Sequence, residues 1–346
     1  MTEPATTPFT VHHLRFTVRA ETTIELDAFK GSALRGAWVS HLRTLYCAQR
    51  DAADPLHQAM CPVCFLLSRE SGQGDDRRPY TFVPPLTPQT VFRPGETLEF
   101  GMRIFGNSVQ FLPYLVLAVN QMGRQQGLGR AIHPPPRDER RRGEGGERGW
   151  QRGTFGLVSI TEENPLTHAE RPLLEPGGSQ VQMPSLPVTA AHVARAAEEM
   201  APRLAEGGHL TLRFVTPTRI VRDRELVHRP LFAPLMARLI DRVAALRHQY
   251  ADEPPPDWNE KAQLLALADR VALVHDATRW WDVHGHSSRL EREQPLGGFV
   301  GQAVYRAADP SVWPRLLPWL LWGQCTQVGK NTVKGCGVIE VDRGGR

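Results

Sequence analysis

No run of eighteen consecutive apolar residues occurs anywhere in the 346-residue chain, so a membrane-spanning helix is not expected. The first ten residues, Met1 to Thr10, are polar, include the acidic Glu3 and contain no apolar core of the kind a secretory signal needs; a cytoplasmic location is expected. Cysteine is sparse. There are five, an odd number in a chain without a secretory signal, which argues for reduced thiols rather than a disulfide framework. An excess of charge of one sign is also lacking. Lys and Arg number 41 against 37 Asp and Glu, a net charge of +4. That is compatible with a polyanionic partner but well short of a histone-like binder. Missing too is a nucleotide-binding P-loop, although Gly329 and Lys330 adjoin. Gly323 to Gly329 encloses five residues rather than four, Asn331 stands where Ser or Thr is required, and the order runs helix, loop, strand. An ATPase is therefore not expected.

What is present is a chain long enough for two ordinary domains, 41% hydrophobic and 23% charged. Period-two apolar residues from Phe9 to Val18 predict a strand, and Leu34, Trp38, Leu42 and Leu45 predict a helix over Gly31 to Cys47. Further strands are expected at Tyr80 to Pro84, Thr97 to Phe105 and Thr154 to Ile160, with a helix over about Ser108 to Gly123. The stretch between Ile132 and Gly153, rich in Pro, Gly, Arg and Glu, lacks apolar groups to offset ordering and is expected to be mobile. The second half repeats the theme. Helices are expected at Ala190 to Glu206, Leu231 to Tyr250, Glu260 to Val274 and Ser311 to Gln324, and strands at His209 to Val215, Arg279 to Val283, Phe299 to Tyr305 and Val338 to Val341. The order suggests an α+β fold of two β-α-β-β-α-β halves with antiparallel sheets. The first domain is expected over residues 1–161 with a Cys-bearing loop at 47–64, a Pro- and Gly-rich linker over 162–187, and the second domain over 188–346 with a glycine-rich loop at 329–337.

Two segments carry chemistry. Gly329-Lys330-Asn331-Thr332-Val333-Lys334-Gly335-Cys336-Gly337 combines three glycines with two lysines, a composition suited to laying backbone N–H groups and positive charge along a phosphate backbone. Lys330 and Lys334 are the expected RNA contacts. Cys47, His57, Cys61 and Cys64 supply the four N/S ligands that a tetrahedral zinc requires, and a closed set of four would serve structure rather than catalysis. The alternative is that these thiols behave as small buried apolar groups.

Several segments, in order along most of the chain, resemble one family. Phe29-Lys30-Gly31-Ser32-Ala33-Leu34-Arg35-Gly36-Ala37-Trp38, then Arg93-Pro94-Gly95-Glu96-Thr97-Leu98, Gly127-Leu128-Gly129, Phe214-Val215-Thr216-Pro217-Thr218-Arg219, Gly297-Gly298-Phe299-Val300-Gly301 and Val328 to Gly337 are similar to CRISPR-associated endoribonucleases that process precursor crRNA, members of the repeat-associated mysterious protein superfamily. The resemblance implies two tandem ferredoxin-like, RRM-like domains. It implies binding of CRISPR repeat RNA and metal-independent cleavage to a 2′,3′-cyclic phosphate and a 5′-hydroxyl, with no cofactor for catalysis. Other CRISPR effector-complex subunits are implied partners, and no membrane is. The RNA-binding set is then Arg35, Gln327, Gly329, Lys330, Asn331, Thr332, Lys334, Gly335 and Gly337.

The chain departs from the family's pattern at Gln327, where many relatives carry histidine; an amide orients a phosphate but transfers no proton at neutral pH. Without that histidine, His41, Tyr46 and Lys330 are the expected catalytic residues, with His57, His284, His286 and Lys30 as further candidates. The competing expectation is a catalytically inactive crRNA-binding subunit of a CRISPR effector complex.

Overall fold

Alternation along β1 (Val11–Ala20) sends Leu14, Phe16 and Val18 into a buried core and turns His13, Arg15 and Thr17 to the opposite face. The computed structural model describes residues 8–47, 54–67, 77–133, 151–287 and 292–343. β1 is central in a five-stranded antiparallel sheet with β2 (Tyr80–Val83), β3 (Thr97–Phe105), β4 (Phe155–Asn164) and β5 (Ala169–Leu174), in the order β2-β3-β1-β4-β5. Two helices, α1 (Gly31–Tyr46) and α2 (Leu112–Gln121), cover its apolar face. Leu34, Trp38 and Leu42 recur at four-residue spacing and are all buried. Trp38 Nε1 donates to the Leu115 carbonyl at 3.3 Å, which satisfies the indole where it is dry.

The second half builds the same order. β6 (Leu210–Thr218), β7 (Val271–Trp281), β8 (Gly298–Ala307) and β9 (Ile339–Val341) form an antiparallel sheet ordered β7-β8-β6-β9. In each half the strands lie second, third, first, fourth, the ferredoxin-like arrangement, and the first half adds one strand at its edge. Helices α3 (Ala190–Ala205), α4 (Phe232–Ala251), α5 (Trp258–Ala268) and α6 (Trp313–Thr326) supply the second core, with Leu235, Leu239, Val243 and Leu246 of α4 fully buried. No helix among the described residues is long and apolar enough to cross a membrane.

Several expected boundaries move. The division at 161 falls inside β4, which runs to Asn164, and the expected linker contains β5. The rest of that segment is tied down: the buried carboxylate of Glu162 accepts from His12 Nδ1 at 2.8 Å and from the Leu186 amide at 2.9 Å, and Val188 bridges to Val11. The helix expected to reach Val274 stops at Ala268, and β7 begins at Val271. An unforeseen hairpin pairs His284–Ser287 with Arg292–Pro295. The Arg-rich stretch after Ile132 falls mostly outside the described residues.

The halves share side chains. Phe9, Val11 and Phe105 enter the second core, and the Phe9 ring sits 5.2 Å from that of Trp322. The Gln249 amide oxygen accepts from the Arg77 amide at 2.8 Å, and the Tyr250 hydroxyl donates to the Arg77 carbonyl.

Candidate nucleic-acid interface

The glycine-rich loop does not lie open. It is wedged between the halves, with Thr332, Lys334, Gly335 and Gly337 buried and only Lys330 exposed. Several of its amides already have acceptors. Lys330 donates to Arg219 O at 3.0 Å, Lys334 to Asn331 O at 2.9 Å, Gly335 to Thr332 O at 2.9 Å and Gly337 to Pro217 O at 3.0 Å. The glycines serve close backbone approach instead. At Gly335, φ is +86° and a Cβ would stand 2.5 Å from Pro84 Cδ; at Gly337, φ is +75° and a Cβ would stand 1.8 Å from Val328 O. Expected as a cradle for phosphate, the loop also braces the two domains.

Gln327, expected among the RNA contacts, lies in the same interior. It is 0% exposed, and its Nε2 donates to Phe82 O at 3.1 Å, Thr332 O at 3.3 Å and Cys336 O at 2.9 Å. An amide so placed has its donors engaged within the protein. Lys334 Nζ donates to Gln294 Oε1 at 2.9 Å, and Gln294 Nε2 donates to Asn331 Oδ1 at 3.1 Å. Thus the paired strands 284–287 and 292–295, the loop and the start of α1 form one cluster. Gly31 abuts Lys334 O, Gly285 abuts Ser32 Oγ, and Arg35 lies one turn further along α1. His284, on this hairpin, is exposed.

Of the expected catalytic residues, His41 and Lys330 are not brought together. His41 follows Gly31 by ten residues, about 15 Å along the helix axis, and is only 4% exposed. Its Nε2 lies 3.4 Å from Gln121 Oε1, and burial holds its pKa below the ordinary value. A ribose cannot reach it directly in this conformation. Tyr46 ends α1, but its side chain lies outside the described residues, as does that of His286. Lys30 is buried, with Nζ donating to Thr87 O at 2.8 Å, so it offers no free cation.

At the far end of α1 the four metal-ligand candidates converge. Asp54 caps the short helix Pro55–Met60, accepting from the Leu56 and His57 amides, and so orients His57. The ligand atoms of Cys47, His57, Cys61 and Cys64 all lie within 4.8 Å of one another. Cys47 Sγ is 3.6 Å from His57 Nε2 and 3.7 Å from Cys64 Sγ. Zn–S and Zn–N bonds of about 2.3 and 2.0 Å at tetrahedral angles require edges of about 3.5–3.8 Å. The donor set and its spacing fit that ion.

Cations that the sequence reading passed over gather elsewhere on the junction. Arg238 and Arg242, four residues apart on α4, face the outer edge of the glycine-rich loop at Gly329 and Lys330, with Arg77, Arg78 and Arg219 around them. The sequence signal was an i, i+4 pair of arginines on an amphipathic helix. What it omitted was the wall opposite.

A family model described as an N-terminal domain matches residues 9–186, and the model for CRISPR-associated endoribonuclease Cas6 matches residues 212–339. Comparison with curated proteins by sequence gives no match. Among solved structures, a Cas6 product complex is similar with a TM-score of 0.55 at 13% identity, covering 96% of this chain and 99% of that one. Cas6 from Thermus thermophilus gives 0.53 at 14%, covering 96% and 98%. A partial Cas6-RT-Cas1–Cas2 complex gives 0.59 at 13%, covering 97% of this chain and 46% of that one. At such identities these structures speak for the fold. Over residues 212–339 the chain carries the domain of the CRISPR-associated endoribonuclease family, on a fold shared with the solved Cas6 proteins.

Proposed function

We propose that the chain binds the CRISPR repeat and cuts precursor crRNA without a metal ion in the chemistry. A ribose 2′-oxygen attacks its own 3′-phosphate in line; the new O–P bond closes a 2′,3′-cyclic phosphate, and the P–O5′ bond breaks to leave a 5′-hydroxyl. A base must take the 2′ proton and an acid must give one to O5′. The observation that carries the reading is the Cas6 model's match over residues 212–339, a span that includes Arg219, Arg238, Arg242 and Lys330. Lys330 is assigned to the charge that develops on the non-bridging oxygens. Proton transfer is assigned to His284, because it is exposed beside the start of α1 and the loop; His41 and Tyr46 would need α1 and its surroundings to rearrange. Arg35 is the α1 cation nearest that cluster. The similar Cas6 product complex and Cas6-RT-Cas1–Cas2 complex support crRNA and other CRISPR proteins as partners.

The buried brace at Gln327 favours a second reading, crRNA binding without cleavage. Incubating the full chain with its repeat RNA in EDTA decides between them. Cleavage requires a cyclic-phosphate product that disappears when the scissile ribose is 2′-deoxy. Bound, intact RNA would leave only the second reading. His284→Ala abolishing cleavage but not binding would fix the proton-transfer assignment; unchanged cleavage would remove it.

The reading includes a structural zinc held by Cys47, His57, Cys61 and Cys64. Four protein ligands leave no open position, so the ion would staple the segment after α1 and take no part in strand scission.

A further inference from the structure

Where the two domains meet beside the glycine-rich loop, a cavity of about 240 Å³ is walled by Arg219, Arg238, Arg242 and Lys330, with Arg77 and Arg78 from the first domain. One deeply buried cation in its wall is poorly compensated. Arg242 is 6% exposed; its Nε donates to the carbonyls of Thr326 and Gln327 at 2.9 and 3.0 Å, while Nη2 has no hydrogen-bond partner. A buried guanidinium normally spends its donors on an anion, and leaving one unmade costs the full desolvation of that group. Burial, then the neighbouring Arg77 and Arg103, pushes the Arg242 pKa down to about 9. Among the described residues, the sole carboxylate lining the cavity is Asp241, and it is shared: Oδ2 stands 3.5 Å from Arg238 Nη1, and Oδ1 is 2.5 Å from Lys261 Nζ.

We infer that this cavity seats a phosphodiester group of the bound RNA, with Arg242 Nη2 as the deep donor and Arg238, Arg219 and Lys330 as the rim. The four positions suit that ligand for separate reasons. Arg238 and Arg242 share one face of α4, so both forks address the same point. Arg219 is held against the Trp280 ring at 5.9 Å and to Gly297 O at 3.1 Å, which fixes its plane. Lys330 is exposed at the mouth, where a strand continuing past the cavity would meet it. The inference rests on the RNA-binding reading above and adds to it one place on the chain where the backbone is gripped.

The test is the salt dependence of repeat-RNA binding by the full chain, wild type against Arg238→Gln and Lys330→Gln, with Arg195→Gln on the exposed face of α3 as control. Each lost phosphate contact should make the plot of log K against log salt shallower by about 0.7 for a single strand and weaken binding several-fold at low salt. The control should keep the wild-type slope. Arg242→Gln should show the largest change; because it also braces α6, its unfolding midpoint is measured first, and if the fold is lost the two rim variants decide. RNA bound with wild-type slopes in both rim variants overturns the cavity assignment while leaving RNA binding intact. Absence of salt-sensitive RNA binding by the wild type overturns both. If inorganic phosphate raises the unfolding midpoint through the rim residues while RNA slopes stay unchanged, the cavity takes free phosphate and the RNA assignment falls.

Discussion

Gln327 Nε2 donates across the domain boundary to the carbonyl oxygen of Phe82 at 3.1 Å, from a side chain that is itself 0% exposed. The backbone at Gln327 has φ +64°, an uncommon conformation for a residue other than glycine. One amide thus ties β2 of the first domain to two carbonyls of the glycine-rich loop. Gln327→Leu should leave the carbonyls of Phe82 and Cys336 without this donor, Thr332 O keeping the Gly335 amide, and destabilise the protein by about 1–3 kcal/mol, read as a lower unfolding midpoint in urea. RNA already bound should still be cut at an unchanged single-turnover rate. A fall in that rate with stability intact would return Gln327 to the catalytic set.

Two glycines on α1 should respond in opposite directions. A Cβ on Gly31 would stand 1.8 Å from Lys334 O, whereas on the exposed Gly36 it would meet nothing within 4 Å. Gly31→Ala should cost on the order of 1–3 kcal/mol, because backbone in the loop must move. Gly36→Ala in mid-helix should gain about 0.5–1 kcal/mol. Denaturant unfolding of both variants checks this; equal effects would mean that α1 and the loop do not touch in solution.

The elements most legible in the sequence are those with one dry face and one wet one. Leu14, Phe16 and Val18 on β1, and Leu34, Trp38 and Leu42 on α1, announce their periods because burial is one-sided. β5 was hidden because Glu170, Arg171 and Pro172 read as linker; an edge strand tolerates charge and proline that a central strand would not. Only the end of β7 was legible, as the strand expected from Arg279; its apolar start, Val271 to Val274, was hidden because it continues the spacing of α5. The glycine-rich loop was legible as a place of close backbone approach, but what approaches was not. Phosphate and a neighbouring domain make the same demand on φ and on the missing Cβ, and only the fold shows that Pro84 and Val328 fill the space.

Zinc should be measurable directly. Protein purified without chelator should carry about one zinc per chain by elemental analysis, and Cys64→Ser should carry none or bind it weakly. EDTA should lower the unfolding midpoint of the wild type and leave that of the variant unchanged. A metal-free wild type that takes up no added zinc would leave Cys47, His57, Cys61 and Cys64 as ordinary thiols and imidazole.

Stability should decline as the solution is acidified below neutrality, through His13. This residue sits on β1 where the second domain covers it, and burial, then the charge of Arg103, holds its pKa well below the ordinary 6.5. Unfolding frees the ring to protonate near its ordinary value, so between the folded and unfolded pKa values the unfolded chain binds more protons. Stability is then fully present above about pH 6.5 and falls as pH drops beneath it, by about 1.4 kcal/mol for each unit of depression once the folded pKa is passed. His41, also depressed by burial, adds in the same direction. His13→Leu should flatten part of the loss between pH 7 and pH 5.5, measured as the difference in unfolding midpoint at the two values. An unchanged difference would show that His13 is not the group that titrates.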